Sequence, residues 1–267
     1  MLLPLITLTT DFGYASPYVG VMKGVIHSLV PQVHVVDLSH AIQPQNVRQA
    51  AYLLATAVPY FPSDTIHVCV VDPGVGTARA ALYTQVNGQH LLGPDNGLFT
   101  LLWRRAQPQS VVVRRLTQPC FWRPTVSSTF HGRDIFAPVA AHLARGIDPS
   151  ELGPLHPEPQ LLAIHEAGSD GQACWGEIQF IDDFGNLITN IPASMALPRS
   201  ATVQLGERVT QFLPWVRTYA EATPNTLVIL LSSDGFVEIA EVQGNAAQRL
   251  QVSIGETVRL SWLGDNG

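Results

Sequence analysis

Apolar and polar positions follow two rhythms along this chain. The first part alternates short apolar runs with stretches of helical repeat. Leu5–Thr9 (LITLT) reads as a strand, bounded by Pro4 and the turn-like Asp11-Phe12-Gly13. Tyr18–Leu29 has helical spacing, with Val21, Val25 and Leu29 on one stripe, Tyr18 beside it and Pro31 as the stop. Val33–Leu38 and Thr65–Val71 read as further strands, and Asn46–Val58 as a helix ended by Pro59. Apolar strands alternating with helices predict a sheet covered on both faces.

Beyond Asp72 the pattern changes. Ala81–Gln85 and His90–Leu92 suit a hairpin or paired edge, Leu98–Arg104 a short helix and Ser110–Arg115 a strand. Phe130–Arg145 reads as a loop entering a helix, with Ile135, Val139 and Leu143 on one face. Proline, glycine and charge gather between Gly146 and Gly171, as in a linker. The period is then mostly two. Cys174–Ile181, Thr202–Leu205, Thr226–Leu231, Phe236–Glu241 and Thr257–Trp262 are the predicted strands. The expected organisation is an N-terminal α/β domain over residues 1–160, its sheet flanked by helices. A linker over 161–172 and a smaller antiparallel β-barrel domain over 173–267 complete it.

Composition narrows the classes. The 267 residues are 46% apolar, an ordinary globular value, but only 13% charged. With 20 Pro and 21 Gly, this predicts many ordered loops and surface covered by subunit contacts. The net charge is −6 and no basic stripe appears, which argues against a nucleic-acid partner. Cys69, Cys120 and Cys174 have neither metal-ligand spacing nor the even count of a disulfide scaffold. The apolar start is too short for a signal peptide and nothing has the length of a membrane span, so the expected setting is cytoplasmic.

Candidate chemistry lies in the loops. Asp11, Asp37 and Asp72 sit at or after the ends of apolar strands, where open α/β sheets bind ligands. Asp also caps helices and closes turns. Asp72-Pro73-Gly74-Val75-Gly76-Thr77 is not a phosphate loop, because neither G-x-x-x-x-G-K nor G-x-G-x-x-G is present. Its glycines suit close backbone approach, and Arg79 reaches Asp72 if the loop doubles back. His131-Gly132-Arg133-Asp134 places a histidine, suited to proton transfer, at the start of a helix. No His pair accompanies the carboxylates, so no metal is expected. Asp182-Asp183-Phe184-Gly185-Asn186 and Ser232-Ser233-Asp234-Gly235-Phe236 fit β-turns, and each sets hydroxyls or carboxylates beside a ring.

These segments together carry a resemblance. TTDFG (Thr9–Gly13), VDPGVGTAR (Val71–Arg79), GPDNG (Gly93–Gly97), FHGRDIFAP (Phe130–Pro138), DDFGNLITNI (Asp182–Ile191) and SSDGF (Ser232–Phe236) occur in order over nearly the whole chain. The sequence resembles the S-adenosylmethionine hydroxide adenosyltransferases, relatives of the enzymes that make fluoro- and chloro-adenosine. It departs from the family's usual Val-Asn where Glu241-Val242-Gln243 precedes Gly244-Asn245-Ala246-Ala247.

The resemblance implies hydrolysis of S-adenosylmethionine to adenosine and L-methionine by water attacking ribose C5′, with no cofactor or metal. It implies Asp72, Arg79 and His131 as the water-handling set, with either His131 as base or Arg79 stabilising developing hydroxide. Asp11 and Asp182 would hold the ribose hydroxyls, Asn186 and Ser233 would lie by the methionine part, and Phe184 near the nucleoside. It further implies a homotrimer with each site between one subunit's N-terminal domain and its neighbour's C-terminal domain. The competing readings are a halogenating enzyme of the same superfamily and a non-catalytic protein that binds the cofactor or adenosine.

Overall fold

Period-two alternation sorts the first strands between two cores. The computed structural model describes residues 3–195 and 200–262. They form two compact units that divide between Leu162 and Ala163. The first holds β1 (Leu5–Thr10), α1 (Tyr18–Leu29), β2 (His34–Ser39), α2 (Val47–Ala57), β3 (Ile66–Val70), β4 (Ala81–Val86), β5 (Gln89–Pro94), α3 (Thr100–Arg105), β6 (Val111–Arg115) and α4 (Ala137–Ala144). Its strand order is β2-β1-β3-β5-β4-β6. β2, β1, β3 and β5 run parallel, and β4 pairs antiparallel with both β5 and β6.

Val68, Val70, Tyr83 and Leu92 enter the core beneath α1 and α4. Their chain neighbours Cys69, Val71, Leu82 and Leu91 enter the opposite core beneath α2 and α3. The sheet is therefore covered on both faces, as strands that are apolar at successive positions require. The edge strand β2 is the exception, with His34, Val36 and Asp37 exposed.

The stripe of Val21, Val25 and Leu29 on α1 is not its most buried face, although Val25 packs against the core. Val19, Met22 and Ile26 are the buried residues, whereas Tyr18 and Val21 are 48% and 38% exposed. Both stripes have helical spacing, so periodicity did not choose between them; Met22 and Ile26 fill the volume against α4. On α4 the expected face is the buried one, Ile135, Val139 and Leu143. The proline-rich stretch after Gly146 is held to the first unit as far as Leu162. The amides of His156 and Leu162 bond to the Val113 carbonyl and to Thr100 Oγ1.

The second unit holds β7 (Gly168–Ser169), β8 (Ala173–Ile181), β9 (Leu187–Pro192), β10 (Ser200–Leu205), β11 (Arg208–Pro214), β12 (Leu227–Leu231), β13 (Phe236–Glu241), α5 (Ala246–Leu250) and β14 (Thr257–Ser261). Its sheet runs β11-β10-β14-β8-β9-β13-β12, with β7 beside β8. β8 pairs with β14 through its first half and with β9 through its second. A bridge between Trp215 and Ile229 brings the two ends of the sheet together. The result is a nearly closed antiparallel barrel around Ile178, Leu187, Val203, Val237, Ile239 and Leu260. β9, β11 and α5 are elements the sequence pattern did not single out. Leu187–Pro192 shows little polar alternation because its first three residues and Ile191 are all buried.

Candidate active site

The parallel pairing of β1 with β3 sets Thr10 opposite Val70, so the loops carrying Asp11 and Asp72 leave the same edge of the sheet. Beyond β3 the chain turns tightly. The Val75 amide bonds the Asp72 carbonyl, and both the amide and the hydroxyl of Thr77 bond the Gly74 carbonyl. This doubling back brings Arg79 onto Asp72. Arg79 Nε donates to Asp72 Oδ1 at 2.9 Å, and Nη2 donates to Oδ2. The pair is almost wholly buried, with 7% and 4% of the two side chains accessible. Gly76 is required here. Its φ is +77°, and a β-carbon would overlap the Ser128 carbonyl.

Two supports hold the ends of that loop, and both come from Gly93–Gly97. Asn96 Nδ2 donates to the Val71 carbonyl at 2.9 Å, and the Asp95 amide donates to the Ala80 carbonyl at 3.0 Å. Asp95 is itself tied to the buried His156 at 3.0 Å.

His131 arrives from 52 residues further on. Arg79 Nη2 lies 2.8 Å from its Nδ1. Arginine only donates, so Nδ1 is the acceptor and the ring proton resides on Nε2. Burial, then the Arg79 charge, hold the His131 pKa below the usual histidine value, which keeps the ring neutral. His131 precedes a wide helical turn over Gly132–Phe136, closed by the Ala137 amide on the Gly132 carbonyl, and this turn runs directly into α4. Phe136 also packs under the Arg79 guanidinium at 5.7 Å. The rings of Phe12, Tyr18 and Phe130 meet edge to face at 5.2–5.8 Å, joining the Asp11 loop to the His131 loop.

Asp11 Oδ2 accepts the Gln45 amide at 2.7 Å. Asp37 stays apart from this group. It pairs with Lys23 at 2.6 Å, and His40 Nε2 stands 3.0 Å from it but out of line for a hydrogen bond. Burial raises its pKa, but the Lys23 bond and charge, with His40 alongside, outweigh that and hold it below its ordinary value. Asp37 is thus an ion-pair partner of α1. Among the described residues no three His, Cys, Asp or Glu side chains gather as metal ligands would.

In the second unit, Asp182 organises its own turn. Oδ1 accepts the amides of Phe184 and Asn186, and Oδ2 accepts Asn186 Nδ2 at 2.9 Å. Gly185 adopts φ +83° against Asn245, where any side chain would collide. Phe184 is 75% exposed. Asn186 Nδ2 also faces Tyr219 Oη at 3.4 Å, and Tyr219 donates to the buried Glu238 at 2.5 Å. Burial raises the Glu238 pKa. Glu238 interrupts the apolar run of β13 at an outward position, and that interruption was the available signal for this pair; nothing in the sequence marked Tyr219. Ser233 is exposed in the β12–β13 turn. Because Phe236 pairs with Pro192 and Ile239 with Leu187, Ser233 and Asp182 stand at opposite ends of β9 and β13.

Comparisons with known proteins place the whole chain in one family. Residues 6–153 match the SAM hydroxide adenosyltransferase N-terminal domain, and residues 176–259 match the C-terminal domain of that family. This chain belongs to the SAM hydroxide adenosyltransferase family. A (R)-S-adenosyl-L-methionine hydrolase of Thermus thermophilus is 40% identical, covering 94% of this chain and 97% of its own. One from Salinispora tropica is 38% identical, covering 97% and 98%. A fluorinase of an Actinoplanes species is 25% identical, covering 97% of each. Among solved structures, an uncharacterized conserved protein of Thermotoga maritima superposes with a TM-score of 0.88 at 33% identity, covering 96% of this chain and 99% of that one. In this adenosyltransferase family member the motifs Val71–Arg79, Gly93–Gly97 and Phe130–Pro138 build a single cluster: two supply the hydrogen-bonded Asp72, Arg79 and His131, and one braces the loop that carries Asp72 and Arg79.

Proposed function

We propose that the protein hydrolyses (R)-S-adenosyl-L-methionine to adenosine and L-methionine, by water attacking ribose C5′ with methionine leaving. The observation that carries this reading is the unbroken Asp72–Arg79–His131 chain of hydrogen bonds beside the Asp11 loop. Arg79 sits between a carboxylate and an imidazole and fixes both, so the set is ordered before any ligand arrives. Such preorganisation is how a site lowers the barrier to forming charge.

The geometry favours one proton route over another. Arg79 occupies the only lone pair of the His131 ring, so His131 presents a donor, Nε2–H, and not a base. The free lone pairs of the set are on Asp72. Asp72 takes up the proton of the attacking water, while Arg79 and His131 stabilise the hydroxide character that develops. No step requires a Lewis acid, since the sulfonium already makes methionine a good leaving group.

Asp11 and Asp182 are proposed to accept the ribose hydroxyls. Among the described residues one Asp11 oxygen has no hydrogen-bond partner, whereas Asp182 would use the remaining lone pairs of an engaged carboxylate. Phe184 packs near the nucleoside, and Asn186 and Ser233 lie by the methionine part. Opposite ends of β13 suit an extended ligand that meets different groups along its length. The working assembly is a cytoplasmic homotrimer, with each site shared between neighbouring subunits. The apolar outer stripe of α1, with Tyr18 and Val21 exposed, supports a subunit contact. No helix among the described residues is long and apolar enough to cross a membrane.

The test is incubation of purified protein with the separated sulfonium epimers in oxygen-18 water. The label should appear at the 5′-hydroxyl of adenosine and not in methionine, with the (R) form consumed faster. Unlabelled adenosine, or a halogenated nucleoside outpacing adenosine when chloride or fluoride is added, overturns it; binding without any product favours a cofactor-binding role. Sedimentation should give three times the 29.0 kDa chain mass, and a species of one chain mass would remove the shared site.

A further inference from the structure

One acid of the His131-Gly132-Arg133-Asp134 segment has no part in the chemistry above, yet Asp134 is completely shielded from solvent. Its carboxylate is fully engaged. Arg133 donates through Nε to Oδ1 at 2.7 Å and through Nη2 to Oδ2 at 2.9 Å. Arg123 Nη1 approaches Oδ1 at 3.4 Å, and the Ser127 amide donates to Oδ2 at 2.9 Å. The main chain repeats the link, with the Arg123 amide on the Asp134 carbonyl at 2.9 Å. Burying an ion pair brings little net stability over an apolar side chain of similar size. Its placement therefore calls for another reason.

That placement touches both arms of the triad. Asp134 lies in the wide turn three residues after His131. Ser127, which it grips, adjoins Ser128, and the Ser128 carbonyl rests against Gly76 in the loop that folds Arg79 onto Asp72. Arg133 extends the frame, with its guanidinium 5.0 Å above the Phe130 ring, which in turn packs on Phe12 beside Asp11.

We propose that Asp134 is a positioning residue: by tying the 123–129 loop to the wide turn, it sets His131 Nδ1 in line with Arg79. This rests on the reading of Asp72, Arg79 and His131 as the catalytic set. Asp134 holds its own charge despite burial, because the bonds from Arg133 and Ser127 outweigh desolvation. Its negative charge also acts on His131 in the direction opposite to that of Arg79.

The experiment compares Asp134→Asn and Asp134→Glu with the parent by nitrogen-15 NMR of the His131 ring and by steady-state kinetics with (R)-S-adenosyl-L-methionine. In the parent, His131 should show an unprotonated, hydrogen-bonded Nδ1 and a protonated Nε2. In Asp134→Asn that signature should be lost or averaged and kcat should fall about 100-fold, the cost of a misplacement near 1 Å. KM should stay within about threefold, as expected when positioning and not binding is lost. Asp134→Glu should recover part of both. A parent-like His131 signature in Asp134→Asn, or a kcat within twofold of the parent, overturns the proposal. If Asp134→Asn does not fold, Arg133→Gln loosens the same frame from its more exposed side, and a parent-like His131 signature there also overturns it. The ring signature is read without substrate, so it still decides this inference if the parent shows no hydrolysis and the functional reading falls.

Discussion

Arg79 Nη2 lies 2.8 Å from His131 Nδ1, and the same guanidinium holds Asp72 through two of its nitrogens. One planar cation thus spaces a carboxylate and a neutral ring in a fixed fork. Lysine offers a single point charge on a flexible stem and cannot reproduce that geometry. Arg79→Lys is expected to lower turnover by about 100- to 1,000-fold, the scale of losing one preorganised donor. Single-turnover kinetics checks it; a loss under tenfold would mean that charge alone suffices.

Acid should disable the same pair. The His131 pKa is lowered, first by burial and then by Arg79, so the ring is neutral at pH 7 and charges only below the usual histidine range. A protonated ring has no lone pair for Arg79. The kcat/KM profile is expected to be level near neutrality and to fall on the acid side, with its midpoint below about 6.5. A midpoint above that value would contradict a desolvated His131.

Stability should fall in the same direction, chiefly through His67. This ring is buried between Thr7 at 2.8 Å and Gln89 at 2.9 Å, and desolvation lowers its pKa to about 4. The unfolded chain takes up this proton first, so the contribution is complete above about pH 6.5 and is lost as pH falls toward 4. It amounts to about 3 kcal/mol. Urea midpoints measured from pH 7.5 to 4.5 should decline through that window. A flat profile would show that other groups compensate.

Gly76→Ala should harm the triad without touching any of its side chains. The φ of +77° costs an alanine on the order of 1–3 kcal/mol. Overlap with the Ser128 carbonyl then pushes the two loops apart. The expected result is a folded protein with strongly reduced kcat. Parent-like kinetics would show that the loops separate freely.

Tyr219→Phe tests the second unit. It strips the buried Glu238 of its donor and Asn186 of a neighbour. A loss of about 1–3 kcal/mol in barrel stability is expected, together with a raised KM. Unchanged KM with lowered stability would leave the pair a purely structural role.

Much of this arrangement is legible in the sequence. The sequence puts Arg79 within reach of Asp72 on condition that the loop doubles back, which it does, and marks Ala81–Gln85 and His90–Leu92 as a hairpin or paired edge, which is the antiparallel pair β4 and β5. Long-range features were not legible. Nothing local says that Asn96 would cap the Val71 carbonyl or that Asp134 would reach back to Ser127, because each depends on how distant loops pack. The covered face of α1 is unmarked for a related reason: periodicity finds apolar faces but does not say which one the chain itself covers.

The wide turn over Gly132–Phe136 also fixes an angle. Such a turn absorbs one residue more than an ordinary helical turn, and each residue advances the helix by about 100°. A uniform helix running back from α4, with Val139 and Leu143 still seated in the core, would swing the imidazole around the axis and away from its partner. The extra residue works as a phase shifter. Deleting one position between His131 and Ala137 should leave the helix intact, and even more regular, while rotating the histidine out of register with the guanidinium.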